Sequence, residues 1–533
     1  MKYNNSKFSI YTPLILALVL AGGIFLGSRL NYNKNTVTFN VERNKIDIIL
    51  DLIETDYVDT VNRADLIEKT IPHMLENLDP HSVYIPASEL KEINEPLEGN
   101  FDGIGVQFNI LNDTILVINT IAGGPSEKVG IRAGDKIVLI NDSLFAGVNI
   151  TTNDVIKNLK GPRGTKVKVS VARQGYDKLL DFEIIRDKIP LNSLDVAYML
   201  SDDIGYIKIS AFARTTYDEF EEAAKRLKKQ GMKKIILDLR SNGGGYLDAA
   251  INIADEFLKD KQMIVYTQGK ARPKQVSYAT TMGELENEDL AVLIDGWSAS
   301  ASEIVAGAIQ DNDRGVIIGR RSFGKGLVQE PTMFRDGSAL RLTIARYYTP
   351  SGRCIQKPYD KGREAYAHDL IERYNNGEME HPDSSAFDES EKYYTVGGRV
   401  VYGGGGIMPD IFVPLDTLGY TGYFREVSAK ATIYNFALDF TEKHRKKLES
   451  FKDYRGLVRY LNNSSIFNEF LKYARSKGIK DRPKEIEVSH TIIDTQIKAY
   501  IARNIFDNEG YYPIIRQIDN VLQKAIEEME KSE

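Results

Sequence analysis

Apolar and polar residues follow two periods along this chain, and the switches between them mark its parts. An uncharged run, Phe8–Ser28, comes first and spans 21 residues between Lys7 and Arg29. That is long enough to cross a bilayer as a helix, although Pro13 and Gly22-Gly23 interrupt it. Lys2 and Lys7 predict that the amino terminus stays inside and the bulk of the chain is exported. Residues 1–29 are expected to be an uncleaved anchor, since no clear Ala-x-Ala site follows, with a cleaved signal peptide as the alternative. After a polar linker at 33–40, residues 41–99 read as helical, with apolar spacing at Ile46, Ile49, Leu50 and Ile53.

The period changes to two between residues 100 and 187. There Val167, Val169 and Val171 alternate with polar residues among glycine turns, which predicts a β-rich domain. From 188 to 415, strands alternate with helices. Ile204–Ile209, Ile235–Leu239 and Ala291–Ile294 read as strands; Phe220–Gln230 and Leu247–Leu258 read as helices. This pattern predicts an α/β layer with partly parallel pairing. Residues 416–533 are charged and helical, with apolar spacing at Ile515, Ile518, Val521 and Leu522, and the acidic end Glu527–Glu533 reads as a solvated tail. The expected fold is therefore α/β and multidomain, with helical regions at both ends and a β-rich domain placed before an α/β core.

Composition narrows the function classes. A chain of 533 residues is too long for one core. A net charge of −6 without a basic stripe argues against a nucleic-acid partner. The single cysteine, Cys354, excludes an internal disulfide, a cysteine-based zinc site and a lipoprotein cysteine near the start.

Two short stretches carry chemistry. Ser298-Ala299-Ser300-Ala301-Ser302-Glu303 joins the strand Ala291–Ile294 to an apolar helical face at Ile304, Val305, Ala308 and Ile309. A small-residue turn there exposes a hydroxyl beside the free N–H groups of a helix start. Phe323-Gly324-Lys325-Gly326 follows, and a lysine among glycines and apolar residues is a candidate neutral amine that takes a proton from serine. Each has a plainer reading, an N-cap serine and a solvated lysine. Gly319–Lys325 also fits G-x-x-x-x-G-K, but Gly326 and an apolar strand follow where a phosphate loop needs Ser or Thr and a helix. The six histidines, His73, His81, His368, His381, His444 and His490, sit in no recognisable catalytic setting; a Ser-His-Asp hydrolase stays an alternative because triads are defined by geometry.

The ordered pair, Ser-Ala-Ser-Ala-Ser-Glu-Ile and Phe-Gly-Lys-Gly-x-x-Gln, resembles the C-terminal processing peptidases, the Ser/Lys tail-specific protease family (S41). Asp79-Pro80-His81-Ser82-x-Tyr84 is similar to its amino-terminal signature, and Leu237-Asp238-Leu239-Arg240-Ser241-Asn242-Gly243-Gly244-Gly245 to its glycine loop. Phe101–Val106, Gly124-Pro125-Ser126, Gly130–Asp135 and Gly161–Thr165 resemble PDZ segments, and Arg346–Arg353 a later core segment. Trp297 departs from the glycine many relatives carry there.

The resemblance implies a serine endopeptidase without metal or organic cofactor that cuts exported proteins near unstructured C-termini. It implies Ser300 as nucleophile, Lys325 as its base and Gln329 as the residue orienting the lysine. Strand alternation would put 325, 327 and 329 on one face. Oxyanion donors are expected from Gly245, Gly244 and Ala301. The PDZ carboxylate loop is expected at Gly103, Ile104, Gly105 and Val106. Gly403–Gly406 is either site lining or loop. The expected place is the periplasmic side of the inner membrane, attached through the first segment. A homo-oligomer or a regulatory protein stays open, with 416–533 a dimerisation element or platform. A PDZ adaptor with an inactive core is the alternative from another class.

Overall fold

The computed structural model describes residues 44–381 and 389–531, with 17 and 19–23. Phe8–Ser28 lies largely outside the described residues, and the anchor reading with it. Among the described residues no helix is long and apolar enough to cross a membrane. The chain forms two compact units, Met1–Met74 and Leu75–Glu533. In the first, Asn44 caps the helix Lys45–Asp56, and Arg63 pairs with Asp51 and Glu54 of that helix.

Six strands form the central sheet of the second unit, in the order Leu194–Met199, Ile204–Ile209, Lys234–Asp238, Asp289–Ile294, Val316–Gly319, Ile411–Phe412. The first pair is antiparallel and the rest are parallel. Near-continuous apolar runs suit strands buried on both faces. Alternation sends Ile235, Leu237, Val292 and Ile294 to one face, against the helices Thr216–Lys229, Leu247–Asp255 and Ala301–Asp311. Ile236, Ala291 and Leu293 point the other way, onto Val521, Leu522, Ala525 and Met529 of the helix Asn520–Glu530.

That last contact corrects the reading of the acidic end. Glu527, Glu528 and Glu530 lie on the outer side of a helix whose i, i+4 apolar residues cover the sheet, and Lys234 Nζ donates to the Met529 carbonyl at 2.8 Å. The helical reading of 41–99 also needs one change. Val83–Ile85 is a strand, because the long strand Ala339–Tyr348 offers it an antiparallel partner. Ala339–Tyr348 also pairs with Leu327–Met333 and Met263–Gln268, making a second sheet beside the first.

The β-rich domain hangs from a two-stranded stem, Asn100–Gly103 against Asp187–Pro190. Its own sheet and the helix Thr152–Leu159 enclose Ile115, Val117, Ile137, Val155, Val169 and Ile184. Buried Arg186 donates to the Leu159 and Asn158 carbonyls and so closes the C-terminal end of that helix. The helices between Gly422 and Ile515 share a separate core built on Tyr423, Phe436, Phe470, Ile493 and Ile497.

Leu522→Ala should lower stability by about 2–5 kcal/mol, since it opens a cavity against the sheet. Exposed Glu527→Ala should stay within about 0.5 kcal/mol of wild type. Urea midpoints of the two variants check this.

Candidate active site

Three serines alternate at the start of the helix Ala301–Asp311, and the fold treats them differently. Ser298 is fully buried and its Oγ donates to the Leu239 carbonyl at 2.8 Å. Ser302 is also buried, its Oγ donating to the Asn242 carbonyl at 2.9 Å. Ser300, between them, is only half-buried and stands at φ 55°, ψ −112°. A β-carbon opposes that conformation, so neighbouring contacts must enforce it.

Glu303 supplies much of that enforcement. It is fully buried, and its carboxylate accepts four hydrogen bonds. Ser300 N–H and Lys325 N–H both reach Oε2 at 2.8 Å. Gly324 N–H and Ser322 Oγ reach Oε1 at 2.6 and 2.5 Å. Burial pushes this carboxyl up, and the four bonds oppose the rise. All four partners are donors, so the ionised form is the one they fit. Tyr347 makes a second bridge: its hydroxyl lies 2.6 Å from the Lys325 carbonyl and 3.2 Å from the Ser300 carbonyl. One carboxylate and one phenol thus hold the serine and lysine backbones together. They also close the phosphate-loop reading, because the Gly324 and Lys325 N–H groups are already held and a strand, Leu327–Met333, follows.

The Lys325 amine has one hydrogen-bond partner among the described residues, Gln329 Oε1 at 3.3 Å. Gln329 Nε2 in turn donates to the His81 carbonyl, which fixes which way the amide faces. Simple strand alternation does not bring these two together. Lys325 precedes the strand, and the register shifts between Val328 and Gln329. Burial pulls Lys325 below the ordinary lysine value, and Arg341 acts the same way; Glu303 and Asp79 act against them. His81 is pushed down to about 4, by burial first and Lys325 next. Its ring meets the Tyr366 hydroxyl at 2.8 Å. Asp79 shapes this turn by accepting from the His81 and Ser82 N–H groups, Ser82 Oγ and Thr343 Oγ1.

The glycine loop packs directly on the nucleophile turn. A β-carbon on Gly244 (φ 95°) would lie 2.7 Å from Ser300 Cβ, and one on Gly245 (φ 153°) 2.0 Å from the Phe212 carbonyl oxygen. Only glycine fits either place. Gly244 N–H donates to Asn242 Oδ1 at 2.9 Å, so that donor is already engaged. Buried Asn242 also accepts the Ala299 N–H at 3.0 Å, tying the loop to the serine turn. Asp238 anchors the loop's foot. Burial alone would raise its carboxyl, but Arg240 and Lys208 hold it well below the usual range. Arg240 also pairs with Asp519 at 2.7 Å.

Gly403–Gly406 packs behind the lysine loop, with the Gly405 carbonyl accepting from Arg321 and Ile407 N–H donating to Ser322 Oγ. Trp297 is 64% exposed and borders a 410 Å³ cleft with Arg320, Leu370, Ile371, Tyr374 and Leu415. In the β-rich domain, Gly103 ends the stem and Ile104 is buried. The Ile104 carbonyl accepts from Ser126, and the Gly105 carbonyl from Ile121 N–H at 3.0 Å. Val106 begins the edge strand Val106–Ile110. These four are remote in sequence from Ser300 and lie together where the stem meets the edge strand.

Sequence reading passed over Glu303, Tyr347 and the His81 carbonyl. Glu303 had a signal: Ser300-x-x-Glu303 is a capping-box spacing. The other two lie in segments the resemblance named, Asp79–Tyr84 and Arg346–Arg353, but their bonds are long-range and no local pattern shows them.

Known protein families match successive segments of the chain. The model of Peptidase family S41 matches residues 203–361, a PDZ domain model matches 103–184, and the N-terminal domain of the activating protease CtpB matches 27–88. A family of unknown function matches 423–507. A carboxy-terminal-processing protease of Bartonella bacilliformis is 38% identical over 350 residues, 64% of this chain and 80% of that one. A probable CtpA-like serine protease of Staphylococcus aureus is 34% identical over 349 residues, 65% of this chain and 69% of that one. Among solved structures, the photosystem II D1 C-terminal processing protease aligns at 24% identity and TM-score 0.36, over 69% of this chain and 92% of its own.

Glu303→Gln should destabilise the protein by about 1–3 kcal/mol, because an amide NH2 would face donors where a carboxylate oxygen now accepts. A fall in thermal midpoint without loss of the native circular dichroism spectrum checks this.

Proposed function

Since the chain belongs to the S41 family of carboxy-terminal-processing serine proteases with a PDZ domain, we propose that Ser300 and Lys325 are its catalytic dyad. Ser300 Oγ attacks the scissile carbonyl carbon while Lys325 Nζ takes the hydroxyl proton. The C–N bond then breaks, and the leaving amine receives that proton. Water attacks the ester by the same route in reverse roles, releasing the acid and restoring Ser300. The observation that carries this reading is the treatment of the three serines: two are buried and bonded to backbone, while Ser300 is half-open and clamped to Lys325 through Glu303.

Gln329 supports the lysine's role by accepting one of its hydrogens, which directs the lone pair of the neutral amine elsewhere. The oxyanion donors are the N–H groups of Gly245 and Ala301, with Gly244 set aside because Asn242 takes its hydrogen. The PDZ domain delivers the substrate by adding its C-terminal residues to the edge strand Val106–Ile110, with the free carboxylate at Gly103–Val106. The apolar first segment and its preceding lysines support action outside the cytoplasm.

Ser300→Ala and Lys325→Ala should each abolish cleavage of an unstructured protein without unfolding, and Gln329→Ala should lower the rate by about 10–100-fold. Retained cleavage in either dyad variant would refute the assignment. Lys325 must be neutral, and its folded pKa lies below the ordinary lysine value. Activity should therefore be low at acid pH, rise as pH passes that depressed pKa, and hold on the alkaline side; a kcat/KM profile reads it. A peptide with an amidated C-terminus should be cut more slowly than its free acid, because charge-assisted hydrogen bonds are about twice as strong as neutral ones. An acid-to-amide rate ratio near one would rule out tail recognition by the PDZ domain.

A further inference from the structure

The helices between Gly422 and Ile515 take no part in the chemistry above, yet they build one wall of the PDZ groove. The strand Val106–Ile110 pairs on one side only, with Ile115–Thr120. Beside it lies a cleft of about 500 Å³. Phe108 and Ile156 line it from the PDZ domain; Tyr434, Arg503, Asp507 and Asn508 line it from the helical region. A cleft of that size holds a few peptide residues.

Two hydrogen bonds fix the wall. Asn109 Nδ2 donates to the Tyr434 hydroxyl at 2.6 Å, and Asn119 Nδ2 donates to Asp507 Oδ2 at 2.8 Å. Asp507 stands at a break in the helix Pro483–Ile515, with φ 51° and ψ −145°. A non-glycine residue is strained there and persists where its surroundings demand it. The PDZ contact is such a demand, so the helix breaks at the groove. One turn before the break, the exposed Arg503 guanidinium lies over the Tyr511 ring at 5.3 Å. Asp507 is engaged by Asn119 and feels the charge of Arg503, but no ion pair within 4 Å joins Arg503 to a carboxylate among the described residues.

Val106, Phe108 and Ile110 face the PDZ core, while Asn109 faces the helical region. A peptide added to this edge alternates in the same way. With its last side chain on the apolar face, the penultimate one falls on the side of Gln107 and Asn109, toward the helical wall that carries Asp507 and Arg503. Resting on the PDZ reading above, we infer that the helical region reads substrate, with Arg503 the residue that selects an acidic side chain at the penultimate position of the C-terminus.

The test measures binding, not cleavage. The full chain carrying Ser300→Ala is titrated with fluorescent ten-residue peptides that have Glu, Gln or Lys at the penultimate position, each as free acid and as amide. The Glu peptide should bind roughly threefold to fivefold more tightly than the Gln peptide, with the ratio falling as salt rises. Adding Arg503→Gln should bring that ratio to about one while the free-acid preference persists, which also shows the PDZ groove intact. Adding Arg503→Glu should reverse the order in favour of Lys, a gain that misfolding cannot produce. A Glu-to-Gln ratio near one in the Ser300→Ala parent, or one that Arg503→Gln leaves unchanged, overturns the inference while leaving the tail reading standing. Loss of any acid-over-amide preference overturns the tail reading itself, and this inference with it.

Discussion

A carboxylate without solvent contact holds this candidate active site together. Glu303 lies under both halves of the site, and its two oxygens collect donors from the serine turn and from the lysine loop. Burying a charge this deeply is costly unless every lone pair finds a donor. Here the site's own backbone supplies three of the four donors. The serine's strained backbone and the path of the lysine loop therefore share one cause. Glu303 also acts against the lysine it positions, since its negative charge favours the ammonium form. Burial and Arg341 act the other way, and the net direction is downward. Spreading the carboxylate's charge over four hydrogen bonds leaves less of it to oppose them.

The sequence was most readable where a pattern is local. The strand Ile204–Ile209 emerged with the limits its alternation implied, and the neighbouring strands and helices moved by a few residues at their ends. Ser300 and Lys325 stood out because each sits in a short run with its own chemical logic. Partners joined only by the fold were harder. The resemblance put Gln329 beside Lys325 and strand alternation was the expected geometry, yet a bulge and a loop bring it there, and its far side rests on a carbonyl 248 positions away. Gly244 stood second to Gly245 as a donor, and Asn242 turns its side chain back on it. The acidic end was read by its charge, although charge describes only the outer face of an amphipathic helix; Val521, Ala525 and Met529 carried the opposite message at i, i+4 spacing.

Strain appears at both places where substrate is expected to meet the protein. Ser300 and Asp507 have left-handed backbones that their side chains disfavour. Ser300 is held by Glu303 and Tyr347, Asp507 by a PDZ asparagine. The two share a construction: a helix starts or breaks at an awkward angle, and a bond from a distant segment keeps it so.

The stem between Asn100–Gly103 and Asp187–Pro190 has a consequence for how such a chain could arise and fold. Its strands enter and leave side by side, about 4.8 Å apart. Along the backbone, the core therefore meets 104–186 as an interruption no wider than one strand pair, with side-chain contacts such as Lys160 to Glu95 added outside it. Leu191 N–H already bonds the Gly99 carbonyl at 2.9 Å across the foot of the stem, which sets the register without reference to what lies beyond it. The entropy of closing so long a loop is met inside the module by its own core, and it grows only slowly with length. In polymer terms the insertion is a side loop on a closed ring. Modules of other lengths and specificities could be exchanged at that foot while the protease core kept its path.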